Sequence, residues 1–224
     1  MRKALLALAV LAVAAACIAS AFFMIADHAA ASVDFEDASW GGGYAERVGG
    51  FWRLAVPLRG QEASAVLRSR QEFRGGYFEV EMKTVSSRVV GSAFYLYAGK
   101  EPDDFEEVDV EVYGFMENVS DVYANLNPAT ADFTCWVNGQ RHMVRTRLGF
   151  LACEGFHTYG VKWVPGEAVE FYVDGVKVAA FYGERVPKRP MRLYLQTWYA
   201  GWMSEFGTPE GEAVTLFRNV SVHP

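Results

Sequence analysis

The segment Glu107-Val108-Asp109-Val110-Glu111-Val112-Tyr113 carries a carboxylate at every second position. Alternate side chains of an extended strand point to opposite faces, so Glu107, Asp109 and Glu111 share one face while Val108, Val110 and Val112 share the other. The ordinary meaning of such a row is a solvated outer face. Like charges on neighbouring same-face positions repel, however, and no Lys or Arg stands within the segment to neutralise them. Paired carboxyls do have a chemistry. Hydrolysis of a glycosidic bond with retention of configuration takes two of them, about 5 to 5.5 Å apart. One attacks the sugar carbon and the other protonates the leaving oxygen. Glu107 and Glu111 are the natural pair, with Asp109 between them holding their pKa values apart. Four strand residues span about 13 Å at Cα, so the two carboxyls converge only on a curved sheet that forms a cleft.

Such a row needs a sheet to hold it, and the sequence after residue 31 reads as strands. No segment there shows a helical period, while short alternating runs recur every 8 to 12 residues or so. Phe78, Val80 and Met82 oppose Tyr77, Glu79, Glu81 and Lys83; Val169, Phe171 and Val173 oppose Glu170 and Tyr172. Asp174-Gly175 suits a type I′ turn and predicts a hairpin over Val169 to Phe181. Further strands are predicted at Ser64–Arg70, Val89–Ala98, Glu106–Tyr113, Val122–Leu126, His157–Val164, Arg192–Trp198 and Val214–Val222. Two packed antiparallel sheets best bury the apolar faces, giving an all-β sandwich over residues 32–224 without internal repeat or linker.

Composition narrows the function. A chain of 224 residues that is 51% hydrophobic and 15% aromatic has enough apolar surface for one sizeable core, with aromatics left over for a binding surface. A net charge of −6 with scattered Lys and Arg gives no footprint for nucleic acid. Residues 1–31 combine a basic start at Arg2-Lys3, an apolar run from Ala4 to Ala26 and the small residues Ala29-Ala30-Ala31, the pattern of a secretory signal. The run is also long enough to cross a bilayer core of about 30 Å, so a retained membrane anchor is the alternative. Export would leave Cys135 and Cys153 as the mature cysteines, and a single disulfide between them is expected; the plainer alternative is two buried thiols.

Sugar rings stack their CH faces on flat aromatic rings, so a glycan cleft should present Trp and Tyr. Trp198 shares a strand face with Tyr194 and Gln196, Tyr95 pairs with Tyr97 on another strand, and Tyr199 and Trp202 are expected on the adjoining loop. Each is more often a core residue in an arbitrary sandwich. His157 reads as structural. The histidines and cysteines show no metal-ligand spacing, so no catalytic metal or other cofactor is expected.

The chain resembles glycoside hydrolase family 16, which includes bacterial lichenases and plant xyloglucan endotransglycosylases. The likeness runs from Ser64 to Val222. It rests on the Glu-x-Asp-x-Glu pattern at Glu107, Asp109 and Glu111, preceded by Gly76-Tyr77-Phe78-Glu79-Val80-Glu81-Met82-Lys83. Glu154-Gly155-Phe156-His157-Thr158-Tyr159, Trp163 and Tyr172-Val173-Asp174-Gly175 follow in the family's order. The resemblance implies a concanavalin-like β-jelly roll, with Glu107 as nucleophile, Asp109 as assisting acid and Glu111 as acid/base. It also implies substrate contacts at Trp198 and Asn125. Some relatives hold a structural calcium, which no residue here, Asp34 included, can be assigned to bind. Lichenases usually read Asn-Leu-Trp-Asn where this chain has Gln196-Thr197-Trp198-Tyr199, a departure that bears on substrate choice. The expected activity is endo-cleavage of a β-linked glucan by a monomeric enzyme, mixed-linkage β-1,3-1,4-glucan being favoured. A transglycosylase and a non-catalytic lectin-like module are the competing readings, and membrane contact is expected only if residues 4–26 are retained.

Overall fold

The computed structural model describes residues 32–59, 61–85, 90–100, 104–113, 129–206 and 211–224. The N-terminal segment, the predicted strand at Val122–Leu126 and the candidate Asn125 lie outside these residues. In chain order the strands are β1 (Phe35–Asp37), β2 (Tyr44–Val48), β3 (Phe51–Leu58), β4 (Ala63–Ser69), β5 (Gly76–Lys83), β6 (Gly91–Lys100) and β7 (Asp104–Tyr113). They continue as β8 (Thr130–Val137), β9 (Gln140–Arg147), β10 (His157–Val164), β11 (Ala168–Val173), β12 (Val176–Tyr182), β13 (Arg192–Tyr199) and β14 (Gly211–His223).

The strands form two antiparallel seven-stranded sheets, ordered β1-β4-β13-β6-β7-β8-β9 and β12-β11-β10-β5-β14-β3-β2. Period-two alternation explains the layering. Val108, Val110 and Val112 of β7 are fully buried between the sheets, as are Phe78, Val80 and Met82 of β5. Phe133 of β8 meets Phe171 of β11 with ring centroids 5.3 Å apart. The Ser92 and Thr215 hydroxyls, on β6 and β14, join the two sheets by a buried hydrogen bond of 2.7 Å.

The predicted hairpin forms, with Asp174 and Gly175 at φ 48° and 76° in the turn between β11 and β12. Two others went unanticipated although their turn residues are equally telling. Asn138-Gly139 joins β8 to β9 and Gly49-Gly50 joins β2 to β3, all four residues with positive φ as a type I′ turn requires.

Two expectations are corrected. Cys135 and Cys153 are free thiols, not a disulfide. Cys135 sits opposite Val108 on β8 and points into the sandwich, fully buried, whereas Cys153 lies partly buried in the turn after β9. Tyr199 is not a loop residue but the last residue of β13, and its ring belongs to the core at 1% exposure.

Candidate active site

The acidic row lies on the outer face of the first sheet, and strand register decides what surrounds it. On β6, Tyr97, Tyr95 and Ala93 stand opposite Glu107, Asp109 and Glu111. On β8, Trp136, Thr134 and Asp132 take the corresponding places. One strand further, β9 sets Arg141, Met143 and Arg145 against those three. On the other side β13 places Tyr194 opposite Tyr95, Gln196 opposite Ala93 and Trp198 opposite Gly91. Of these, all three acids, Ala93, Tyr95, Trp136, Arg141, Gln196 and Trp198, joined by Tyr113 and Trp202, line an open cleft of about 300 Å³.

Electrostatics distinguishes the three carboxyls. Asp109 is 5% exposed, and burial, then the charges of Glu107 and Glu111, push its pKa well above the usual carboxylate range. Its carboxyl is hydrogen-bonded to Glu107. A carboxyl that keeps its proton is a donor, so Asp109 stabilises an ionised Glu107. Glu111 is pushed up to about 7, first by burial and then by the charge of Asp132, against opposing effects of Arg141, Arg145 and a hydrogen bond from Tyr113. The arrangement sets a protonated donor at Asp109 beside Glu107, and an acid titrating near neutrality at Glu111. The like-charge repulsion that the sequence implies is relieved by protons, with Arg141 and Arg145 contributing from β9.

Asp132 is a carboxylate that sequence reading missed. It is 1% exposed and bound in a fork by Arg145, with Nε and Nη2 each 2.7 Å from its two oxygens. Arg141 Nη2 lies 4.0 Å from Asp132 Oδ2 and its guanidinium 5.9 Å from the Trp136 ring centre. The signal was present: Asn138-Gly139 marks a hairpin, and the alternations Asp132/Thr134/Trp136 and Arg141/Met143/Arg145 flank it.

Of the predicted sugar contacts, Trp198, Tyr95, Gln196 and Trp202 all line the cleft. Trp198 meets Tyr113 edge-on at 5.8 Å, and Tyr113 is 6.2 Å from Trp202, which is 38% exposed. Tyr95 stacks on Tyr194 with centroids 4.8 Å apart, and the Gln196 amide donates to Ser64 Oγ at 2.8 Å. His157 lies on β10 of the other sheet, bonded to Asp174 at 2.8 Å and stacked on Phe150. Among the described residues no three His, Cys, Asp or Glu side chains converge as metal ligands, and Asp34 pairs with Arg70 at 3.4 Å.

The model of the family Glycosyl hydrolases family 16 matches residues 18–215. A β-glucanase of Acetivibrio thermocellus is 32% identical over 140 residues, 60% of this chain but only 37% of that protein's length. A putative xyloglucan endotransglucosylase/hydrolase, protein 13 of Arabidopsis thaliana, is 29% identical over 206 residues, covering 89% of this chain and 68% of its own. Among solved structures a Bacillus licheniformis β-glucanase superposes with a TM-score of 0.68 at 22% identity, covering 85% of this chain and 92% of that one. That last likeness speaks to the fold, a jelly roll of two seven-stranded sheets.

Proposed function

The chain belongs to glycosyl hydrolases family 16, and from that premise we propose that it is a retaining, endo-acting hydrolase of β-linked glucan, with mixed-linkage β-1,3-1,4-glucan as its leading substrate. The observation that carries the chemistry is the division of labour in the acidic row. Glu107, which accepts a hydrogen bond from the protonated Asp109, attacks the anomeric carbon as the bond to the leaving sugar breaks. Glu111, which keeps a proton to about neutrality, gives it to the leaving oxygen. Glu111 then takes a proton from water, whose oxygen displaces Glu107 from the glycosyl-enzyme.

Endo-action is supported by the length of the floor. A second open hollow of about 420 Å³, lined by Arg68, Tyr97, Arg192 and Tyr194 among others, adjoins the acids on the same sheet. The preference for mixed-linkage glucan rests on the unbroken five-residue motif and on the β-glucanase relatives. Transfer to a sugar acceptor in place of water is the second reading, supported by the plant relative that covers 89% of this chain. We further propose that residues 1–31 direct export, the apolar run from Ala4 to Ala26 being its support.

A panel of mixed-linkage, β-1,3 and xyloglucan polymers, read by new reducing ends, tests the substrate. Cleavage of agarose or carrageenan with none of glucan overturns it. Chains longer than the starting oligosaccharide mark transfer. Proton NMR of the first-formed anomers tests retention, and an initially inverted product would falsify the double displacement.

A further inference from the structure

We propose that Asp132, held by Arg145, helps burial keep the proton on Glu111, a positioning residue whose charge reaches Glu111 across the β7–β8 ladder and extends the pH range in which the site can protonate a leaving sugar. The proposal rests on the reading of Glu111 as the proton donor.

The geometry is a single row crossing three strands. Glu111 stands opposite Asp132 on β8, and Asp132 opposite Arg145 on β9. Asp132 is almost wholly buried while its carboxylate is gripped at 2.7 Å by both arms of the Arg145 fork. Burying such a pair costs desolvation on both sides, and apolar residues of similar volume often serve stability as well or better. A guanidinium standing alone near Glu111 would draw off its proton, because an opposite charge favours the ionised carboxylate. Asp132 cancels that pull, and being nearer in the row it adds a repulsion of its own. The elevated pKa of Glu111, with the Asp132 charge ranking behind burial among its causes, agrees with this sign.

Burial by the surrounding groups raises the pKa most; beyond that, the other charged and polar groups around Glu111 do not supply the effect. On its own strand Asp109 is engaged with Glu107, and Tyr113 donates to Glu111, which lowers its pKa. Arg141 and Arg145 from β9 also lower it. Across β6 the facing residue is Ala93, with Tyr95 one place along. β13 contributes Gln196 and Trp198, which do not titrate, and Trp202 completes the lining.

A mere staple tying β9 to β8 would use the same ion pair, so the test is one a staple does not answer. The alkaline limb of kcat/KM on mixed-linkage glucan is measured for the full chain and three variants. Asp132→Asn leaves the cation facing Glu111 and moves the limb down by about one to three units. Arg145→Gln moves it up, and stands as the test should Asp132→Asn fail to fold. The double variant Asp132→Asn/Arg145→Gln places it between Asp132→Asn and the parent, because the nearer Asp132 charge outweighs that of Arg145. Shifts in one common direction, or none, overturn the proposal. Carbon-13 NMR of the glutamate carboxyls, with the Glu111 signal identified by its loss in Glu111→Gln, separates the two readings. If the Glu111 titration moves as stated and the activity limb does not, Glu111 is not the proton donor and the coupling stands. If the Glu111 titration is unmoved, the coupling is wrong whatever the activity does.

Discussion

The indole of Trp198 occupies the space that a side chain on Gly91 would fill. A Cβ built on Gly91 falls 2.4 Å from two carbons of the six-membered ring. Gly91 faces Trp198 across the β6–β13 ladder, so the missing side chain lets the ring lie against the sheet and present itself to the cleft. Gly91→Ala should therefore displace the ring without disturbing the acids. KM for glucan should rise by about 3- to 10-fold, the worth of one aromatic contact, with kcat nearly unchanged. Steady-state kinetics on the purified variant checks this, and an unaltered KM would remove Trp198 from the sugar contacts.

The two glutamates should fail in different ways. Glu107→Gln removes the nucleophile and should abolish turnover even of a nitrophenyl β-glycoside. Glu111→Gln should lose about 10²- to 10⁴-fold on glucan, the usual worth of general acid–base catalysis, yet still be glycosylated by the activated substrate. Added azide should rescue that variant and yield a β-glycosyl azide. In the Glu107 variant azide enters from the opposite face and gives the α-azide. Identical products from the two variants would show that the roles are wrongly assigned.

Stability should also report on Glu111. Its folded-state pKa of about 7 lies above the ordinary value of 4.5, so between these pH values the folded chain binds more protons than the unfolded one. Stability is then fully present below pH 4.5 and falls as pH rises through 7, by roughly 1 to 3 kcal/mol once partial hydration of the carboxylate is allowed for. Asp109 acts with the same sign. Glu111→Gln should be the more stable protein at pH 8 and should show a flatter profile from pH 4.5 to 7. Urea melts at pH 5 and pH 8 decide it; an unchanged slope would mean that Glu111 does not carry the raised pKa.

The thiols should divide by depth. Burial pushes the Cys135 thiol far up, the Asp109 charge adding to it, whereas Cys153 is partly accessible. Only the thiolate is nucleophilic. Iodoacetamide should label Cys153 in the folded protein and Cys135 only after unfolding, as peptide mapping would show. Equal labelling rates would contradict the packing of β8.

What the sequence made legible follows from locality. The alternation of Glu107, Asp109 and Glu111 with three valines reports side-chain direction within one strand, and the structure agrees residue by residue. The hairpin at Asp174-Gly175 was equally local. What escaped notice required register between strands. The Asn138-Gly139 turn sets Arg145 opposite Asp132, but nothing in the order of residues says that Asp132 faces Glu111; that relation appears only once β7 and β8 are paired. Tyr199 was misplaced for a related reason. Alternation along Arg192–Tyr199 puts it on the inner face, a relation lost when the strand is bounded at Trp198, one residue short. The disulfide was inferred from compartment and cysteine count, neither of which reports that Cys135 points into the core.

The end position of β9 has a consequence for how copies of this chain meet. Among the described residues β9 is the last strand of its sheet, with no strand paired to its outer side. Its sequence, Gln-Arg-His-Met-Val-Arg-Thr-Arg, carries Arg141, Arg145 and Arg147 on one face of this end strand, and charged side chains on an end strand disfavour edge-to-edge pairing. The arginines that face the acids therefore also discourage self-association. Charge-removing substitutions made to study the cleft should be watched for loss of solubility, which would lower apparent activity through the amount of dispersed protein rather than through its chemistry.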